Sequence, residues 1–341
     1  MTLSFYLMVF ILAFSTLTFS ALDPKSYQSI IDSGISLTLN QQYDEAITLF
    51  KTASSKDNKN PLFDFYLMLT YEAMMVDYET TEWEKQFDSL CIRAEEGFKA
   101  LEKKEPENAW VPYFLGSLQV TRGAHELRFS HYLNFTRSIL NGVKLLKTSV
   151  KLDSTLNDAY LYIGLFQFAR SKLVSWIPMF DDDRETAINI IEKAANGSDF
   201  SREFSTEVLI GLYGHTGEMD KAFALADSFK HKYPQNRAVY WIVGNACFAQ
   251  KRYTEAEKEF LALKPMIEQG IPKKYLYNLI AVDALLSEIA FKTGRYDESL
   301  ELCRNIQLVN TTDKRILELK QMARRLALKC EKKLKSKKGA S

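Results

Sequence analysis

The chain has 341 residues, 46% apolar and 26% charged, which is the composition of a folded soluble protein. Lysine plus arginine (44) and aspartate plus glutamate (43) nearly cancel, so the whole chain gives no ground for general nucleic-acid or polyanion affinity. With 8 prolines, 14 glycines and no low-complexity linker, the sequence reads as one continuous helical structure rather than separate beads.

In chain order, the first element is an apolar run from Leu3 to Phe14, followed by Thr18 and Ser20 before Ala21. This pattern predicts an export signal over residues 1–20, cut between Ser20 and Ala21, and hence a periplasmic or secreted protein. The run lacks a leading Lys or Arg, and an uncleaved N-terminal membrane anchor is the alternative. No Cys follows it to take a lipid, and no later segment is apolar enough to cross a bilayer.

From residue 40 onward one phrase recurs. "NQQYDEAITLFKTA" (40–53) is echoed by "QKRYTEAEKEFLAL" (250–263) and "KTGRYDESLELC" (292–303). Each has a polar turn, a Tyr, a small residue three further on, and a larger apolar residue four after that. The small residue returns as Ala46, Ala94, Gly142, Ala187, Ala222, Ala256 and Ser299. Gly34 and Gly244 each stand twelve before such an anchor; Pro106 and Pro234 stand twelve after, where a helix must stop. Each unit therefore reads as helix A, turn, helix B. Small side chains let the paired helices cross closely, and the residue one turn beyond the anchor fills the gap to the next helix. One pair cannot cover its own apolar face, so the units must stack.

These residues resemble the tetratricopeptide-repeat (TPR) family, whose 34-residue unit has small residues at positions 8 and 20, an aromatic at 24 and Pro at 32. "GISLTLNQQYDEAITLFKTA" and "GNACFAQKRYTEAEKEFLAL" carry the match, and Ala94, Phe98 and Pro106 match the second half of a unit. Gly142 and Ser299 replace Ala, Arg184 stands where an apolar residue is expected, and units 2–4 are elongated. The resemblance implies an all-α, right-handed α-solenoid of about seven units over residues 26–311, similar to exported bacterial TPR proteins. It also implies that positions 5, 9 and 12 of each A helix line a concave groove. The groove residues would be Tyr113 and Ser117, then Leu161, Leu165 and Phe168, then Trp241, Asn245 and Phe248. A peptide or helix of an envelope or secretory-pathway protein is the occupant such an aromatic surface would take.

Residues 312–341 form the last element, with Ile316, Leu319, Ala323, Leu326 and Cys330 at helical spacing. Thr312 or Asp313 is placed to cap a helix that covers the end of the solenoid. Its basic run suits the helix dipole, an acidic partner or an anionic membrane surface. Together with an uncleaved N-terminus it defines a second reading, a membrane-tethered assembly factor.

The remaining motifs are structural. "DDDRETA" (181–187) lacks the ligand alternation of a calcium loop and reads as a capping box of Asp182 with Glu185. In "TRGAHELRFSHYLNFTR" (121–137), Arg122 can pair with Glu126 at i+4. Arg122, His125, Arg128 and Arg137 could together form a basic lip. The apolar stretch "SWIPMF" (175–180), with Trp176 and Phe180, reads as a loop folded over a neighbouring helix. Cys91, Cys247, Cys303 and Cys330 read as buried thiols, with Cys303 and Cys330 the pair to inspect for a disulfide. No sequence pattern pairs a nucleophile with a base or builds a metal or cofactor site, so no catalytic activity is expected. Asn134, Asn196 and Asn310 sit in N-x-S/T sequences.

Overall fold

The computed structural model describes residues 22–174 and 182–338; the expected export signal and the 175–180 loop lie outside them. Among the described residues there are fifteen α-helices and no strand. Seven pairs follow one another. They are α1 (Gln28–Leu39) with α2 (Tyr43–Lys56), α3 (Pro61–Tyr78) with α4 (Glu84–Lys104), and α5 (Trp110–Arg128) with α6 (Tyr132–Leu152). Next come α7 (Asp158–Val174) with α8 (Arg184–Gly197), and α9 (Arg202–Thr216) with α10 (Met219–Lys232). The last pairs are α11 (Arg237–Ala249) with α12 (Tyr253–Gly270), and α13 (Tyr277–Lys292) with α14 (Tyr296–Leu308). The helix α15 (Lys314–Lys338) then packs on α13 and α14.

Local chemistry sets the ends of these helices. The Asn60 side chain accepts from the Leu62 N–H ahead of α3, and Asn236 accepts from the Val239 N–H ahead of α11. Asp313 accepts from the Arg315 N–H, the cap expected for α15. Five of the turns inside pairs share one closure, in which the last turn residue donates back to the helix it leaves. These bonds run from Gln42 to Leu37, His131 to Glu126, Glu218 to Tyr213, Arg252 to Cys247 and Arg295 to Ala290. The residue before each donor is left-handed: Gln41 (φ 60°), Ser130 (60°), Gly217 (91°), Lys251 (61°) and Gly294 (81°). Only Gly217 and Gly294 take that conformation freely; the others cost about 1 kcal/mol each.

All seven anchor residues are buried, and so are Phe50, Phe98, Leu146, Ile191, Ala226, Phe260 and Cys303 four positions beyond them. Burying one such Phe or Leu is worth about 1.5–3 kcal/mol, so the repeated phrase is the stacking code of the fold. The closest crossing is α5 on α6, where a Cβ on Gly116 would stand 2.9 Å from the Gly142 carbonyl oxygen. A Cβ on Gly34 or Gly244 would strike the ring of Phe50 or Phe260, four residues past the matching anchor.

The solenoid is wound so tightly that its second turn rests on its first. At the start, Lys25 pairs with Asp199 (2.8 Å), and Asn108 donates to the Leu22 carbonyl (2.9 Å). Asp158 accepts from the N–H groups of Asp199, Phe200 and Ser201, tying the fourth pair to the fifth. Farther along, Asn236 donates to the Leu39 carbonyl (3.0 Å), and Arg237 Nε donates to Asp77 (3.0 Å). Asn278 donates to the Asp77 carbonyl (2.6 Å), and Arg315 pairs with Glu79 (2.8 Å). Tyr78 stacks on Tyr275, and Lys274 pairs with Glu82. The turns within the first two pairs thus meet the helix starts of the sixth pair, the seventh pair and α15.

Two sequence expectations do not hold, and the reading of the cysteines as buried thiols does. Arg122 pairs with Glu95 on α4 (3.5 Å), while Glu126 goes to His131 (2.8 Å), so the anticipated i, i+4 pair does not form. The Asp182–Glu185 capping box is also absent. Asp182 instead accepts from the Arg184 N–H and guanidinium, and Ser171 accepts from the Asp183 N–H. The cysteines are buried and free; Cys330 donates to Ser299, one helical turn from Cys303 on the facing helix.

Candidate functional site

Of the side chains expected to line a groove, Leu165 on α7 and Trp241, Asn245 and Phe248 on α11 keep accessible surface. Trp241, Asn245 and Phe248 fall at i, i+4 and i+7 of α11, a spacing that puts them on one face. Asn245 is exposed, whereas Trp241 and Phe248 are half-buried. Trp241 leans edge-on against Phe260 (5.8 Å), and Phe248 leans on Tyr253 (5.9 Å), which fixes both rings while leaving surface free. At the register matching Trp241, the preceding A helix presents Glu207, half-buried and with no hydrogen-bond partner among the described residues. Burial alone raises its carboxyl to about 7.

Sequence reasoning missed Glu207. The same counting that yields Trp241 from Ala256 yields Glu207 from Ala222, so the signal was present in the repeat. Its carboxyl is destabilised as an anion in the folded state only. Stability is therefore full below the ordinary Glu range and is lost as pH rises towards 7. Glu207→Gln should stabilise the fold by about 1–3 kcal/mol at pH 8 and by nothing at pH 4. Urea unfolding of both proteins across that range checks this; equal stability at pH 8 would contradict it.

The rest of the expected groove is placed differently. Tyr113, Leu161 and Phe168 are buried. Tyr113 packs against Trp110 and Phe114, and Phe168 meets the His215 ring edge-on. Ser117 is also buried, close to the phenols of Tyr113 and Tyr162. Burial likewise pushes the Tyr162 phenol up to about 12 and the Tyr66 phenol well above its ordinary value. These side chains do not stand open, because they pack against their own and the neighbouring helices of the stack.

The expected basic lip also divides. His125 is buried, stacked 4.4 Å from the Phe87 ring, with Nδ1 hydrogen-bonded to Glu72 (2.7 Å). Arg128 reaches the Met75 carbonyl (3.3 Å), Arg122 is half-buried on Glu95, and Arg137 is exposed on α6. His125 and Arg128 (3.6 Å) share the Glu72 carboxylate, whereas Arg122 is held by Glu95. Where the two turns of the solenoid meet, a cleft of about 710 Å³ is lined by Tyr78, Arg128, Lys274, Tyr275, Tyr277 and Arg315. Arg315 and Lys274 are committed there to Glu79 and Glu82.

Burial pushes the Cys91 thiol up to about 12 and the Cys247 thiol up to about 11, so both stay protonated and poorly nucleophilic at neutral pH. Among the described residues no group of three His, Cys, Asp or Glu side chains is placed to hold a metal ion.

No protein-family model matches the sequence, and no curated protein matches it. Solved structures do. The hetero-tetramer Cut9–Hcn1 of the APC/C gives a TM-score of 0.55 at 13% identity, over 89% of this chain and 52% of that one. This chain thus spans about half the length of that one. The type IV pilus biogenesis factor PilW gives 0.48 at 11% identity, over 70% of this chain and 94% of its own. The C-terminal part of a TPR repeat-containing protein from Cytophaga hutchinsonii gives 0.44 at 16%, over 85% and 98%. The first of these likenesses agrees with the helix pairing in showing the fold.

Proposed function

On an all-α solenoid of the tetratricopeptide type, we propose that this protein is a non-catalytic scaffold. It takes a peptide or helix of an envelope or secretory-pathway partner against the accessible face of α11. The observation that carries this reading is the row Trp241, Asn245 and Phe248, two ring-braced aromatics flanking an exposed amide on one face of α11. Aromatics already immobilised lose little conformational freedom on binding, and the Asn245 amide can satisfy one backbone group of an incoming chain. Glu207, on the preceding A helix, adds a carboxyl that a cationic side chain of the partner would draw into its charged form. The apolar run Leu3–Phe14 supports export to an envelope compartment.

The test is a photo-crosslinking residue placed at Asn245 and, as a control, at Leu261, which is exposed on α12. One partner should crosslink at 245 and not at 261, and Trp241→Ala should cut the yield about tenfold while leaving the melting temperature within a few degrees. Equal adducts at both sites, or no effect of Trp241→Ala, would remove the groove from consideration.

A membrane-tethered assembly factor is the second reading, favoured by the density of cations on α15. Purified protein retaining Met1 would support the N-terminal tether, and a mature start at Ala21 would rule that tether out.

A further inference from the structure

We propose that the outward face of α15 docks on an anionic phospholipid surface. This rests on the second reading only for the basic helix and does not depend on the N-terminal segment. The helix Lys314–Lys338 contains eleven Lys and Arg against two Glu, a net charge of +9 in a chain of net +1, so the remainder carries −8. That asymmetry is confined to one element at the end of the solenoid.

The structure divides α15 into two faces. Ile316, Ala323 and Cys330 are buried at seven-residue spacing against α13 and α14. On the opposite side Arg324, Arg325, Lys332 and Lys335 are exposed, and none pairs with a carboxylate among the described residues. Leu317 (39% exposed) and Leu328 (62%) lie between them, eleven residues and three helical turns apart, on the same meridian. Unpaired cations surrounding two outward leucines form the amphipathic pattern of an interfacial helix: the charges meet headgroups and the leucines enter the acyl boundary.

Neither the helix dipole nor a folded acidic partner accounts for as much of this pattern. Cations complement a helix C-terminus only within its last turn, and Arg324 and Arg325 stand more than three turns from Lys338. A folded acidic partner would need carboxylates opposite four separated cations and pockets for two leucines. A fluid headgroup layer supplies both charge and apolar depth without fixed positions.

The experiment is co-sedimentation of the full chain with phosphatidylcholine vesicles, with and without about a third phosphatidylglycerol. Anionic vesicles should bind about tenfold more protein, and raising salt from about 0.05 to 0.5 M should reverse most of the gain. Insertion of the N-terminal apolar segment would be indifferent to lipid charge and salt, which separates it from α15 binding. Joint replacement Arg324→Glu, Arg325→Glu, Lys332→Glu and Lys335→Glu should abolish the anionic increment. Leu317→Ser with Leu328→Ser keeps every charge and should still lower binding severalfold. All six positions are exposed, so the fold should survive, and an unchanged helical circular-dichroism spectrum verifies it. Equal binding to neutral and anionic vesicles would overturn the proposal. So would serine variants that bind like wild type, because simple polyanion affinity would then account for the charge effect.

Discussion

Arg237→Ala is expected to destabilise the protein by about 3–5 kcal/mol, the cost of leaving a buried charge without its partner. The Arg237 side chain is 4% exposed and that of Asp77 is 10%. The two meet through paired hydrogen bonds, with Asp77 also accepting from the Tyr43 hydroxyl (3.1 Å). Surface pairs such as Lys99 with Glu95 should be worth a few tenths of a kcal/mol on the same measurement. Asp77→Ala should cost about as much as Arg237→Ala, and the double variant little more than either, because each single change already strands one charge. Urea unfolding of the three variants decides it. A loss under about 1 kcal/mol would mean that the contact between the two turns of the solenoid contributes little to holding it closed.

The second large effect is expected where α5 crosses α6. Gly142→Ala gains about 1 kcal/mol of helix propensity. The new methyl, however, lies 2.8 Å from the Gly116 carbonyl oxygen and 2.8 Å from Val120 Cγ2. Backbone cannot rotate away as a side-chain tip can, so overpacking wins and the net loss should be about 2–3 kcal/mol. Gly211→Ala supplies the contrast. Its Cβ would meet only Ile242 Cγ2 at 3.6 Å, an ordinary contact, and the change should stabilise by about 0.5–1 kcal/mol. Thermal melts of the two variants should shift in opposite directions; a shared sign would contradict the crossing geometry.

The local code of this fold was readable because it repeats. Ala46, Ala94, Gly142 and Ala256 announce helix crossings through size alone, and the residue four beyond each is forced into the gap to the next helix. The α-helical class, the seven pairs and the capping role of α15 follow from that periodicity. The tightness of winding was not readable. Asp77 and Arg237 are 160 positions apart, and neither departs from what an exposed helix end would carry. Tyr113, Leu161 and Phe168 likewise read as part of an open wall, whereas they are buried among neighbouring helices. The same limit applies to Arg122, whose partner Glu95 belongs to another helix, and to His125, hidden by Phe87. Glu207 differs from these, because its register, matching that of Trp241, follows from its spacing to Ala222 within the fifth pair.

The bond between Asn278 and the Asp77 carbonyl spans 201 positions, and the pair Arg315–Glu79 spans 236. An ordinary repeat array can grow by adding one module to its neighbour, each stabilised by local contacts. Here the opening modules reach their final environment only after nearly the whole polypeptide has been made. Loss of the last two modules should therefore loosen the first two, giving all-or-none unfolding where a linear array would fray from its ends.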